Sequence, residues 1–170
     1  MVKPFEVVRT AQALERENIR FRTFLRNRAD PEVLDAQFLQ LHNELFAAYD
    51  CSQCRNCCKE CSAVLETEEI QAVSAFLGCS AQEFTADFLE ETDEGYAVRE
   101  KPCRFLCADG RCQIEACRPV ACKDFPFTNR PERLFSLYGV LDCAYVCPVV
   151  LEILERLKPM YHFHGGRRGL

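Results

Sequence analysis

Five of the chain's thirteen cysteines stand within eleven residues, as Cys51-x-x-Cys54-x-x-Cys57-Cys58-x-x-Cys61. Such a density of thiols points to metal or redox chemistry, because thiolates are soft ligands that select zinc, copper(I) and iron–sulfur clusters. The alternative is a disulfide framework, which is usual for small secreted domains. It suits this chain poorly. The opening residues, Met1-Val2-Lys3-Pro4-Phe5-Glu6, hold no apolar run of signal-peptide length and turn charged at once, so a reducing cytoplasm is the expected compartment. An odd number of cysteines would also leave one thiol unpaired.

At 170 residues and 48% hydrophobic, the chain can bury a core without covalent help, so the thiols need a separate explanation. Lys and Arg number 21 against 26 Asp and Glu, a net charge of −5 that gives no electrostatic case for nucleic acid. No apolar stretch reaches membrane-spanning length.

Cysteine usage divides the sequence, since none precedes Cys51 and all lie between Cys51 and Cys147. The expected organisation is a helical hairpin arm over 1–50, a cysteine-cluster domain over 51–150 and a C-terminal helix and tail over 151–170. In the arm, apolar residues recur at helical spacing from Phe5 to Arg28. Asp30 then caps, and Pro31 begins, a second helix with an apolar stripe through Leu34, Phe38, Leu41, Leu45 and Phe46. The arm is expected to pack on the cysteine domain, with a protein partner as the other use for its amphipathic helices.

Beyond the cluster, Thr67-Glu68-Glu69 opens a helix that stops at Gly78, and Ser80-Ala81-Gln82-Glu83 is a capping box for the next, which leads through Phe84 to Phe88-Leu89. Tyr96-Ala97-Val98 reads as a strand. Arg104-Phe105-Leu106 and Gln113-Ile114 read as two more, around the turn signal Asp109-Gly110. Pro119 starts a short helix to Asp124, Leu134 to Val140 reads as strand-like or irregular, and Pro148 opens a final helix closed by Pro159. Gly165 to Leu170 has tail composition. The fold class is therefore mostly α with a short β-hairpin, a small α+β protein.

A C-x-x-C step brings two sulfurs to one centre because the intervening turn can aim backbone N–H groups at the thiolates. Here two such steps follow one another through Cys51, Cys54 and Cys57, and Cys103, Cys112, Cys122 and Cys147 supply later thiols. Ligands from distant segments mean that the site is assembled by folding, so metal binding and fold stability should be coupled. Adjacent residues usually point their side chains apart, so the vicinal pair Cys57-Cys58 either serves two nearby centres or divides into a ligand and its support. His162 and His164 read as exposed tail residues, and His42 lies in the arm, away from the thiols. No glycine loop for phosphates and no Cys–His catalytic pair is evident.

The blocks Cys51-x-x-Cys54-x-x-Cys57-Cys58, Cys103-Arg104-Phe105-Leu106, Cys112-Gln113-Ile114, Arg118-Pro119 and Cys122-Lys123-Asp124-Phe125-Pro126 resemble the YkgJ-type cysteine-cluster family. That family is described as zinc- or iron-chelating, and its domain also occurs in flagellin lysine methylases. The resemblance implies ligands at Cys51, Cys54, Cys57, Cys58, Cys103, Cys112 and Cys122, with a late one near Cys143 or Cys147. Cys147 is preferred for its Cys-Pro step with Pro148. Two positions depart from the pattern: Arg55 stands where glycine is usual, so the positive-φ turn is expected to fall elsewhere, at Asn56, and Glu115 replaces an aromatic. Cys61 and Cys117 are further candidates, whereas Cys79 and Cys107 read as small buried hydrophobes. Arg118 is expected to face cluster sulfides, backbone carbonyls, an anion or an acidic side chain.

All-thiolate ligation, the Cys-Pro step and the vicinal pair favour one or two iron–sulfur clusters of the 4Fe-4S type, and zinc is the alternative, since eight motif cysteines also suffice for two tetrahedral sites. The implied role is structural, redox or sensory. A lysine methylase-like enzyme follows only from the resemblance.

Overall fold

A computed structural model describes residues 1–164; the expected tail from Gly165 lies outside them. The described chain is mostly helical with one three-stranded antiparallel sheet, and it divides into two units, Met1–Asp50 with Pro126–Leu170, and Cys51–Phe125.

The first unit is built from amphipathic helices. A 3-10 turn at Pro4–Glu6 leads into α1 (Val7–Arg28), whose buried residues Val7, Ala11, Asn18, Phe21 and Leu25 form one stripe at helical spacing. Asp30 caps α2 (Pro31–Ala47) by accepting from the Glu32 and Val33 amides at 3.0 Å each, with Pro31 in the first turn. The α2 stripe is Leu34, Phe38, Leu41 and Leu45. These two helices lie against two later ones, α8 (Arg133–Ala144) and α9 (Pro148–Met160), which also pack on each other. Helix α9 buries Val149, Val150, Leu151, Ile153, Leu154 and Leu157, so it is apolar on most of its circumference and takes the centre. Each such side chain contributes about 1.5–3 kcal/mol through burial. Buried Lys158 ends this helix paired with Glu17, 2.7 Å away on α1, and with Glu155.

The second unit holds the cysteine run. Helices α3 (Cys51–Cys54) and α4 (Asn56–Glu60) are single turns, followed by β1 (Val64–Leu65), α5 (Thr67–Leu77) and α6 (Ala81–Phe88). Glu66 and Glu69 form a capping box on α5, Gly78 ends it at φ 76°, and the expected Ser80–Glu83 box caps α6. Strands β2 (Leu89–Thr92) and β3 (Gly95–Val98) pair antiparallel with Leu89 opposite Val98. β1 joins the other edge of β3 with Val64 opposite Ala97. The core comprises Leu65, Ile70, Val73, Phe84, Leu89, Val98, Phe105 and Ile114, with Cys79, Cys103, Cys112 and Cys117 packed against it. A short helix α7 (Val120–Lys123) closes the unit.

Four local expectations need correction. Leu134 to Val140 belongs to α8, because its buried residues Arg133, Leu137, Val140 and Ala144 follow a helical period. Arg104–Leu106 and Gln113–Ile114 are not strands: a single bridge joins Leu106 and Cys112, and the chain otherwise turns too tightly to form a ladder. Leu89 begins β2 instead of extending its helix, and Pro159 sits in the last turn of α9 rather than beyond it.

Helix α8 starts after Glu132 in the left-handed region, without a cap from its own segment. Asp35 of α2 supplies one, accepting from the Glu132 and Arg133 amides at 2.7 and 2.8 Å. Asp35→Ala is expected to cost about 1–2 kcal/mol in urea unfolding followed by helical circular dichroism. His42 lies 2.8 Å from the buried Thr128 hydroxyl, and burial lowers its pKa below 6.5. The stability it lends is present above the unfolded value of about 6.5 and lost as pH falls toward the lower folded one. Urea midpoints at pH 7.5 and 5.5 should therefore converge in His42→Gln relative to the parent.

Candidate metal centre

Among the described residues, none of the thirteen cysteines is joined in a disulfide. Eleven of them fall in the second unit, whose α3 and α4 are joined by Arg55 at φ 49° and ψ 21°. Arg55 itself therefore makes the left-handed turn expected at Asn56, which instead opens α4 and is buried. A non-glycine residue in this region costs about 1–2 kcal/mol. The Arg55 side chain bonds the Ser52 carbonyl at 3.1 Å and pairs with Glu115 at 3.7 Å.

The Cys103 amide donates to the Cys58 carbonyl at 2.7 Å, fixing the vicinal pair against the later thiols. The amides of Phe105 and Leu106 donate to the Cys103 sulfur, and that of Ile114 to the Cys112 sulfur. Backbone N–H groups aimed at sulfur spread thiolate charge and fix its direction. Arg118 binds Glu115 at 3.1 Å and the Cys122 carbonyl at 3.0 Å, so it braces the turn that carries Cys122. From α5, Glu69 accepts from the Val120 amide at 2.6 Å and seats the start of α7.

These contacts set Cys58, Cys103, Cys112 and Cys122 around one cavity of about 30 Å³, with Val98, Phe105, Leu106 and Ile114 as its apolar wall and Arg118 at its edge. Burial raises the pKa of Cys103 and Cys112, and pushes Cys122 up to about 12. Cys58 behaves oppositely. The Cys57 thiol donates to its sulfur, Arg55 and Arg118 lie near, and together they hold it at about 6 against its own burial, while Cys57 is raised by the same bond. Cys61 lies within electrostatic reach of Cys57 and Cys58, and burial raises it too. Among the described residues, no group of three or more His, Cys, Asp or Glu side chains is arranged to hold a single metal ion as it stands.

The eight expected ligands thus divide. Cys58, Cys103, Cys112 and Cys122 share the cavity, and Cys57 is bonded to Cys58. Cys51, exposed, and Cys54, half-buried, lie on α3 and are not part of the cavity wall. Cys147 belongs to the first unit, where it is buried and precedes Pro148 at the start of α9; Cys143 is in the same unit, on α8. Cys117 packs on the core of the second unit, as does Cys79, whose thiol lies 3.7 Å from the Ser74 carbonyl. Cys107 is exposed, contrary to the expectation of burial, because it sits in the tight turn before Gly110. Arg55 and Glu69 were not legible as site residues; an arginine between two C-x-x-C steps was the available signal for the first, whereas nothing local marks the second.

The family model for CxxCxxCC domains, described as a "putative zinc- or iron-chelating domain", matches residues 50–148, more than half of the chain, and this span includes all eight thiols. No solved structure matches the chain. Among the described residues no helix is long and apolar enough to cross a membrane.

In the metal-free, reduced protein, Cys58 should be the thiol alkylated at lowest pH. Its rate should rise through about pH 6 and level off by neutrality, because the thiolate is the nucleophile. Arg55→Ala should move that midpoint upward, as read by peptide mapping of iodoacetamide-treated samples.

Proposed function

The chain belongs to the CxxCxxCC family, and from that premise we propose that its cysteine unit carries an iron–sulfur cluster held by Cys58, Cys103, Cys112 and Cys122. One observation carries the reading: four thiols from separated segments border one cavity. The donor set is all thiolate, and amide N–H groups already point at two of the sulfurs, which suits a centre whose charge spreads onto its ligands.

Bound there, the cluster would supply metal–thiolate bonds and a redox couple. The protein's own residues do the rest. Cys58 gives up its proton readily, Arg118 keeps the Cys122 turn in place, and Phe105 and Ile114 keep water from the cavity. The role best supported is structural in the first instance. α4 and α7 are too short to persist alone, so ligation would add to the stability of this unit. A second centre in the same unit would draw on Cys51, Cys54, Cys57 and Cys61.

Purified without oxygen, the protein should be brown, absorb broadly at the blue edge of the visible range and release about four irons with labile sulfide. Serine at Cys58, Cys103, Cys112 or Cys122 should each remove most of the iron, while Cys79→Ser should retain it. A colourless, zinc-loaded protein would sink the proposal. Chelation should also lower the unfolding midpoint of the holoprotein.

A further inference from the structure

The first unit contains a second cavity, remote in chemistry from the thiols. Along the buried stripe of α1, two positions are short, Ala11 and Asn18, and across from them α8 presents Ala144. Where larger side chains would close the gap, these leave a cleft of about 190 Å³ between α1 and α8. Asn18 is only 4% exposed and lines this cleft, and its carboxamide oxygen has no hydrogen-bond partner. A buried acceptor left bare destabilises a protein, so it calls for a donor from outside the fold.

The rest of the lining says which donor. Glu15 and Asp142 are both acidic, and none of the lining residues is basic. Glu15 takes a hydrogen bond from the Tyr145 hydroxyl. Tyr138 adds a ring, and that ring already bears a cation on its face, the Arg22 guanidinium 3.4 Å from the centroid. The walls between these groups are apolar, from Ala11, Ile19 and Leu141. An anion is excluded by the two carboxylates, and a neutral apolar molecule would leave the Asn18 oxygen bare.

We propose that the cleft between α1 and α8 binds a small alkylammonium ligand, its N–H group donated to Asn18 Oδ1, its charge facing Glu15 and Asp142, and its hydrocarbon stem against the apolar wall. The site shares no residue with the thiol cavity and does not depend on what that cavity holds.

The test is titration of the full chain with n-pentylammonium, pentan-1-ol and pentanoate, followed by amide and side-chain NMR shifts. Pentylammonium should bind saturably, shift the Asn18 carboxamide signals and bind about 10-fold or more tightly than the alcohol, with pentanoate not binding. Asn18→Leu should lose about 10-fold or more in affinity while raising the melting temperature, since the bare acceptor is gone. That rise guards against reading a folding defect as lost binding. Asp142→Asn, at an exposed position, should weaken binding about threefold and flatten its salt dependence. Nα-acetyl-lysine amide binding as tightly as pentylammonium supports the site with a peptide as the source of the ammonium; its rejection supports it with a free amine. Absence of saturable pentylammonium binding, equal binding of pentanoate, or unchanged affinity in Asn18→Leu would overturn it.

Discussion

Burying several thiols side by side is the constraint on which the cysteine unit depends. A thiol in an apolar setting resists ionisation, and neighbouring thiolates repel, so the cavity of Cys58, Cys103, Cys112 and Cys122 raises most of its members. The unit answers by lowering one of them. Cys58 has the Cys57 proton on its sulfur and two arginines within reach, while its carbonyl ties down the Cys103 amide. One residue thus joins the electrostatics of the cavity to the backbone that closes it. A bound metal would replace protons at the remaining sulfurs, which makes affinity pH-dependent.

The helical unit solves a different problem, the ends of its helices. α2 is capped by its own Asp30, but α8 borrows Asp35 from a segment far away in sequence. Arg133, almost wholly buried, adds bonds to the Phe127 and Pro131 carbonyls and so orders the turn before α8. Lys158 likewise is buried only in company with Glu17 and Glu155. Each buried charge here has a partner, as its desolvation requires.

What the sequence makes legible follows from how local each cause is. The Asp30-Pro31 start, the Ser80–Glu83 box and the Gly78 stop are local signals, and each element stands where they place it. α8 is different, because its cap comes from α2 and its apolar residues look continuous until packing selects one face. The bridge at Leu106 and Cys112 replaces an expected hairpin because the intervening residues turn on themselves, with Cys107 bonding the Arg111 carbonyl. In the candidate site, residue type and order single out the candidate thiols. Their sorting into a cavity group and an α3 group depended on three-dimensional closure, and so did the parts played by Arg55 and Glu69.

The division of the chain into a continuous unit and one built from both flanks has a consequence for synthesis on the ribosome. α1 and α2 emerge first, but α8 and α9, against which they lie, emerge last. Between them the whole second unit, with eleven of the thirteen cysteines and complete through Cys122, is delivered while the helical core still lacks half its members. Nascent chains acquire structure from the N-terminus as whole units become available. The first unit that can be completed here is therefore the middle one, and a metal can reach its thiols before the polypeptide is finished.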